Sequence, residues 1–435
     1  MTKNRLMVPA AVLTLMPFLL SPQTVYAADE NEGMTTASAK DSSWSELDVD
    51  PMHGPDSVTG ILQRDQQEKQ DVFDKNFLEE WTAWKTGIKE ETGFNFGADY
   101  TAIGFAASSS PGDDTAASGI ARFFGNWDLY NRGELNTGSL VFKFEDRHSY
   151  TDVAPVAFGF EVGYAGTPAP VFSDQGFRWT TLYWKQNFAD NKVVARAGFL
   201  DVKEYFNLYG LASPWTHFDN LAFSVGSNTM AVLPDAAFGA MAGGYLTDNV
   251  YAVAGILDRS ADPTSMFDSF DNFFSDFDTL KTLEIGITKG GKYLFLDNAH
   301  ISFWHLDESK ETGAPSGRGV NVSFSSTIDG KWLPFLRAAW ADEGGGVYES
   351  SVSTGFGYKD KPGGNLLGVG LNWGRPNSDT FPIELDDQWT GEVFYRAQLT
   401  ENLQVTPSVQ LLVDPALNPD KDFIALFGLR VRASF

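Results

Sequence analysis

From residue 94 onward the chain repeats one pattern: apolar and polar residues alternate over roughly ten positions, then turn residues follow. Alternation with a period of two places successive side chains on opposite faces of an extended strand. Phe123, Gly125, Trp127 and Leu129 alternate with Arg122, Phe124, Asn126 and Asp128. Leu140, Phe142 and Phe144 alternate with Val141, Lys143, Glu145 and Arg147. Val393, Tyr395, Ala397 and Leu399 do so with Glu392, Phe394, Arg396 and Gln398, and Leu403, Val405, Val409 and Leu411 with Gln404, Thr406, Ser408 and Gln410. The chain also ends this way: Phe423, Ala425, Phe427, Leu429, Val431, Ala433 and Phe435 share one face, Arg430, Arg432 and Ser434 the other. Soluble proteins seldom leave so aromatic a strand exposed at a terminus. A soluble sandwich could alternate similarly, but the repeated Arg, Glu and Gln on the polar face suit a wet channel, with the apolar face turned to lipid.

The pattern predicts strands near 94–104, 119–130, 138–147, 177–188, 192–201, 236–246, 249–258 and 281–289. It continues near 298–307, 317–327, 331–341, 348–358, 364–373, 388–399, 402–413 and 423–435. Short turns at 187–191, 247–249, 328–331, 360–363 and 400–402 alternate with longer links such as 259–280, 308–316, 374–387 and 414–422. Tight turns at one end and long loops at the other are what a barrel requires. Residues 155–165 also have strand character, but counting them would break this alternation, so they are assigned to a loop. The expected fold is therefore all-β: a transmembrane antiparallel β-barrel of about sixteen strands over 91–435, wide enough for an aqueous lumen. Long external loops are expected at 148–176, 202–235 and 259–280. The second, carrying Tyr205, Phe206, Tyr209, Trp215 and His217, is long enough to fold inward.

The first 90 residues differ. Lys3 and Arg5, an apolar run over 6–20 and Val25-Tyr26-Ala27 predict a signal peptide over 1–27. Residues 28–60 are acidic and rich in small polar residues, as in a flexible segment. A short N-terminal helix is expected over 61–90, from Val72, Phe73, Phe77, Leu78, Trp81 and Trp84 among charged residues. It is read as a structural plug or lid at the periplasmic end, with a partner-binding helix as the alternative.

Composition narrows the function. No run approaches a helical membrane span. The chain has no cysteine, which removes disulfides, thiolate metal sites and cysteine nucleophiles. A net charge of −25 argues against nucleic-acid binding. His53, His148, His217, His300 and His305 are scattered, and His300 and His305 fall on opposite faces of one strand. No HExxH or Walker-type loop is present, so no enzyme, metal site or cofactor is expected. Gly344-Gly345-Gly346 reads as a plain loop. In 258–278, Asp262, Asp268, Asp271, Asp276 and Asp278 interleave with Phe267, Phe270, Phe273, Phe274 and Phe277. This reads as a short helix whose phenylalanines pack on the barrel rim, with a sugar-collecting platform as the sharper alternative.

Several segments in order carry a family resemblance. They are Trp81-Thr82-Ala83-Trp84-Lys85 leading to Gly93-Phe94-Asn95-Phe96; Leu182-Tyr183-Trp184-Lys185-Gln186; and Arg196-Ala197-Gly198-Phe199-Leu200-Asp201. Phe218-Asp219-Asn220-Leu221-Ala222-Phe223, Pro234-Asp235-Ala236-Ala237-Phe238-Gly239, Glu392-Val393-Phe394-Tyr395-Arg396-Ala397-Gln398-Leu399 and Pro407-Ser408-Val409-Gln410 complete the set. Together, over residues 80–435, the chain resembles the carbohydrate-selective porins of the OprB type. Glu80-Trp81-Thr82-Ala83 departs from that family's Asp-Trp-Gly-Gly. The resemblance implies passive diffusion of sugars through a sixteen-stranded barrel in the outer membrane of a Gram-negative bacterium. It also implies contact with outer-membrane lipid and lipopolysaccharide and, by analogy, a homotrimer. A constriction that binds sugars briefly needs aromatic rings beside Arg and carboxylate groups. Arg122, Glu145, Arg147 and Arg196 are the candidates, with Trp179 or Trp184 as the aromatic contact. A general or ion-selective porin and an envelope-anchoring or adhesion barrel are the rival readings.

Overall fold

The alternation resolves into a closed cylinder. The computed structural model describes residues 43–44, 52–67, 69, 71–73, 77–230, 233–290, 294–310 and 313–435. The described residues form sixteen strands. The first eight are β1 Phe94–Ala107, β2 Thr115–Tyr130, β3 Gly138–Ser149, β4 Gly176–Phe188, β5 Val193–Leu200, β6 Ala237–Tyr245, β7 Val250–Asp258 and β8 Thr279–Thr288. The others are β9 Asn298–Leu306, β10 Gly317–Ser325, β11 Trp332–Glu343, β12 Tyr348–Tyr358, β13 Leu366–Pro376, β14 Gln388–Thr400, β15 Leu403–Val413 and β16 Phe423–Ser434. Each pairs with its chain neighbours, and β16 closes on β1 from Asp99↔Ser434 to Ala107↔Leu426. The aromatic C-terminal strand is thus no free edge, because closure satisfies both of its backbone sides.

The barrel is inside-out relative to a soluble protein. Phe427 and Leu429 are exposed, as are Trp127, Trp332, Trp389, Tyr395 and Phe423, while Arg430 and Arg432, on the other face of the same C-terminal strand as Phe427 and Leu429, are buried. Exposed apolar side chains along the wall fit a hydrocarbon surround, and charged groups inside fit an interior built for polar contents. No described helix is long and apolar enough to cross a membrane.

Strand β4 carries the main irregularity. Lys143 pairs with Thr181 and Phe144 with Trp179, so Thr180 is an extra residue. Thr180 and Thr181 both point inward and are buried. Such a bulge reverses the parity of everything beyond it.

Residues 155–165 lie in the β3–β4 connection, which holds one short helix, α3, Phe158–Val162. The β7–β8 connection forms α4, Asp268–Ser275, whose Phe270, Phe273 and Phe274 ring Phe238 with centroids 4.7, 5.5 and 5.7 Å away. This is the rim-packing arrangement expected from the Phe/Asp spacing.

The expected signal peptide, 1–27, lies outside the described residues, as does most of the acidic stretch 28–60. The part of that stretch that is described does not hang free: Trp44, Met52, His53, Val58 and Gly60 are buried. In place of one helix over 61–90 there are two, α5 Val58–Gln66 and α6 Glu79–Thr92. Gln67 leaves the first in an extended conformation, and the polar run that follows has no apolar stripe to bury. Helix α6 ends on Gly93 in the left-handed conformation, φ 76°, which a residue without Cβ adopts freely. Its Trp81 and Trp84 meet Phe96 edge-on at 6.3 and 6.0 Å on the outer wall. Helix α5 lies inside the barrel.

Candidate functional site

The β5–β6 connection, 201–236, turns into the lumen at Asp201. That carboxylate accepts a hydrogen bond from the Lys203 amide at 3.1 Å and caps a single turn over Val202–Glu204. The loop then crosses the interior, held at each step by the wall. Lys143 of β3 pairs with Glu204. Glu284 of β8 accepts from the Asn207 amide at 2.8 Å. Arg337 of β11 donates to the carbonyls of Ser224 at 2.9 Å and Asn207 at 3.1 Å. Glu392 of β14 accepts from the amides of Asp219 at 2.6 Å and Asn220 at 2.9 Å. Arg430 of β16 pairs with Asp219 and donates to the His217 carbonyl at 2.7 Å. Loop carbonyls and amides would otherwise be unpaired inside the barrel, so inward arginines and carboxylates are what allow the loop to fold there.

The two sides of the lumen are occupied differently. On the β11–β14 side the loop is apolar: Phe218 packs on Phe223, Phe335 and Phe394 at 4.7, 5.8 and 5.0 Å, and Tyr209 on Phe335 at 5.0 Å. On the β1–β3 side sits helix α5, with Val58, Ile61 and Leu62 buried in one core with Phe124 and Val141. Ser57 caps that helix by accepting from the Gly60 amide at 3.1 Å. At its far end Asp65 pairs with Arg432 at 2.6 Å, and Arg432 also reaches Asp99 at 2.7 Å. Burial would raise the Asp65 carboxyl, but Arg432 outweighs it and holds the group well below the usual carboxylate range. Glu204 goes the other way: burial, with Asp201 nearby, pushes it up to about 7 against the pull of Lys143. At the long-loop mouth the β3–β4 connection folds over the opening. Gln388 donates to the Ala165 carbonyl at 2.6 Å, and Thr390 to the Tyr164 hydroxyl at 2.8 Å.

Four of the six residues singled out from the sequence face this interior, all on the α5 side or next to it. Arg122 grips Asp99 with Nε at 2.7 Å and lies 3.7 Å from the Trp215 ring centroid. Arg122 and Glu145 are direct cross-strand neighbours. Glu145 accepts from Arg147 Nε at 2.7 Å. Arg196 donates to the Met52 carbonyl and lies 4.1 Å from the Tyr205 ring. All four are at most 6% exposed. Trp179 and Trp184 are corrections: both face outward, Trp179 against Phe144 at 5.4 Å and Trp184 38% exposed. Strict alternation would send one of them inward, but the bulge at Thr180 sits between them and turns both to the outside. The inward aromatic contacts are Trp215, Tyr205 and Tyr209 of the loop.

Residues not singled out as site candidates are as central as those that were. Arg337, Glu392 and Arg430 hold the loop, and Arg432 holds α5. Their inward parity was readable, but which inward charge meets the loop depends on how the barrel closes. Ser57 ahead of Val58, Ile61 and Leu62 was the one overlooked helix-start signal.

A sixteen-stranded antiparallel barrel with a charged interior and an inward-folded loop is a porin-type barrel, and this fold implies a bacterial outer membrane. Residues 317–435, which are strands β10 to β16, match the family model described as carbohydrate-selective porin, OprB family. The structure is similar to the high-pH structure of Pseudomonas putida OprB, with TM-score 0.66 and 15% identity, covering 85% of this chain and 100% of that one. The low-pH structure of the same protein gives TM-score 0.50 and 13% identity over 84% of this chain and 100% of that one. A triple mutant of the Rhodopseudomonas blastica porin gives TM-score 0.50 and 11% identity over 79% and 100%. No curated protein sequence matches the chain.

Proposed function

We propose that the protein is an outer-membrane porin of a Gram-negative bacterium that lets carbohydrates diffuse passively across a barrel narrowed by its inward loop. The observation that carries this reading is a coincidence of two facts. The strands that match the carbohydrate-selective porin model, 317–435, are the ones that supply Arg337, Glu392, Arg396 and Arg430 to hold the loop. Both the family model and the structural neighbours are channels rather than enzymes.

A sugar presents apolar CH faces and many hydroxyls. Guanidinium groups donate to hydroxyls in a fixed plane, carboxylates accept from them, and rings cover the CH faces. Arg122, Glu145, Arg147 and Arg196, with Trp215 and Tyr205 against two of them, supply these groups on one wall. We place the outer band in membrane lipid, with lipopolysaccharide around the long-loop end, and expect a homotrimer.

The test is swelling of liposomes containing the full chain in glucose, a disaccharide and a zwitterionic amino acid close to glucose in size. Sugar entry faster than size predicts is expected, and Arg147→Ala with Arg196→Ala should change sugar rates more than amino-acid rates. Entry ranked by size alone would make the protein a general porin.

A further inference from the structure

We propose that residues 52–67 are a removable plug that closes the barrel from its short-turn end. Its withdrawal opens a charge-lined passage along β1–β3. This rests on the channel reading above and adds a closed state to it.

Topology is the first ground. The chain on either side of this segment is fastened at the same end of the barrel. The Ser43 amide donates to the Gly330 carbonyl at 3.0 Å, and Trp44 Nε1 to the Lys331 carbonyl at 3.0 Å, both in the short β10–β11 turn. The Val72 and Phe73 amides donate to the carbonyls of Gln398 and Leu399 at 3.0 Å, beside the short β14–β15 turn. The segment therefore enters and leaves through one opening. It can retract as a loop without threading past a strand or breaking a barrel pair.

The second ground is how it is held. The wall is a continuous ladder, whereas the plug has a nine-residue helix and a few side-chain anchors. A helix this short has little stability of its own. Beside the apolar packing of Val58, Ile61 and Leu62 on Phe124 and Val141, its polar anchors are Met52 to Arg196, Asp56 to the Ser213 hydroxyl at 2.6 Å, Gln66 to Asn95 at 2.9 Å and Asp65 to Arg432. Two of these reach the residues proposed for the sugar pathway or the loop that narrows it, so the plug occupies the route itself.

The third ground is polar bookkeeping. Arg64 Nε and Nη2 in the plug, and Arg122 Nη1 and Arg196 Nε on the wall, are buried without a protein partner, as are other lumen groups such as Arg337 Nε. A buried donor or acceptor left unpaired costs more than one in contact with solvent. A permanent core would be poorly built this way. A wall made to be wet, temporarily covered by a protein segment, would look like this.

The experiment compares three full-length forms in planar bilayers and in the liposome assay. One is the unaltered chain. The second has 52–67 rewritten as a Gly/Ser linker of equal length. The third carries Leu62→Cys with Gly97→Cys; a Cβ added at Gly97 would lie 3.4 Å from Leu62 Cδ2 and 2.9 Å from the edge of the Phe124 ring, which must shift to admit it, and no other thiol exists in the chain. The linker form should conduct several-fold more than the unaltered chain. The cysteine form should be closed when oxidised and recover on reduction, which keeps the test independent of whether the linker form folds. Equal conductance and sugar entry in the oxidised and reduced states would overturn the plug while leaving the porin reading standing. If no form conducted, reduced cysteine form included, the porin reading itself would fall.

Discussion

Arginine does the structural work of this lumen because its planar fork can hold a carboxylate and a carbonyl at once and never loses its charge. Arg432 shows this best, bridging Asp65 of the plug helix and Asp99 of β1 while nearly fully buried. Replacing it with Ala leaves Asp65 without its cation and Asp99 with Arg122 alone. Stability should fall by about 3 kcal/mol, the usual cost of breaking a buried pair from one side. Urea unfolding followed by tryptophan fluorescence checks this, and Arg432→Lys should recover only part of the loss. At this scale the sequence was informative about direction. Arg122, Glu145, Arg147 and Arg196 point inward as alternation required. The partners of Arg122 and Arg196 were not legible, since Met52, Asp99 and Trp215 are brought to them by chain segments tens to more than a hundred residues away, whereas Glu145 and Arg147 pair within one strand.

Elements were legible where a period ran unbroken. Most strands keep inward and outward faces as the pattern demands; β4 changes phase at Thr180 because one extra residue is inserted there, and β12 shifts register between Tyr348 and Ser350. Deleting Thr181 should therefore do more harm than its size suggests. Restoring strict alternation would turn either Arg178 or Tyr183 and Lys185 toward lipid, and charged groups at mid-membrane cost about 2–4 kcal/mol each. The barrel should lose the resistance to SDS seen in unheated samples, whereas Thr181→Val, which keeps the count, should retain it. The two N-terminal helices read as one over 61–90 for the opposite reason. Short amphipathic stretches have no strong period, and nothing in α5 and α6 says that one packs inside the barrel and the other against its outer wall.

For the whole molecule, the inward loop couples folding to pH through Glu204. Its carboxyl, raised to about 7 by burial, binds its proton more tightly in the folded state than in the unfolded chain. Stability from this group is then fully present below an unfolded value of about 4.3 and is lost as pH rises through about 7. The thermal midpoint should fall across that window, and Glu204→Gln, neutral throughout, should flatten the curve. A wild-type midpoint independent of pH would mean that Lys143 keeps Glu204 ionised. The sequence by itself determined the strand count, the alternation of turns and loops and the inside-out faces, because each rests on a local period of two and on turn residues that need no distant partner. Only the tertiary structure decided what fills the lumen: which arginines hold the loop, which tryptophans face outward, and where 52–67 lies. Those depend on closure of β16 onto β1 and on contacts between residues far apart in the chain, which no local pattern encodes.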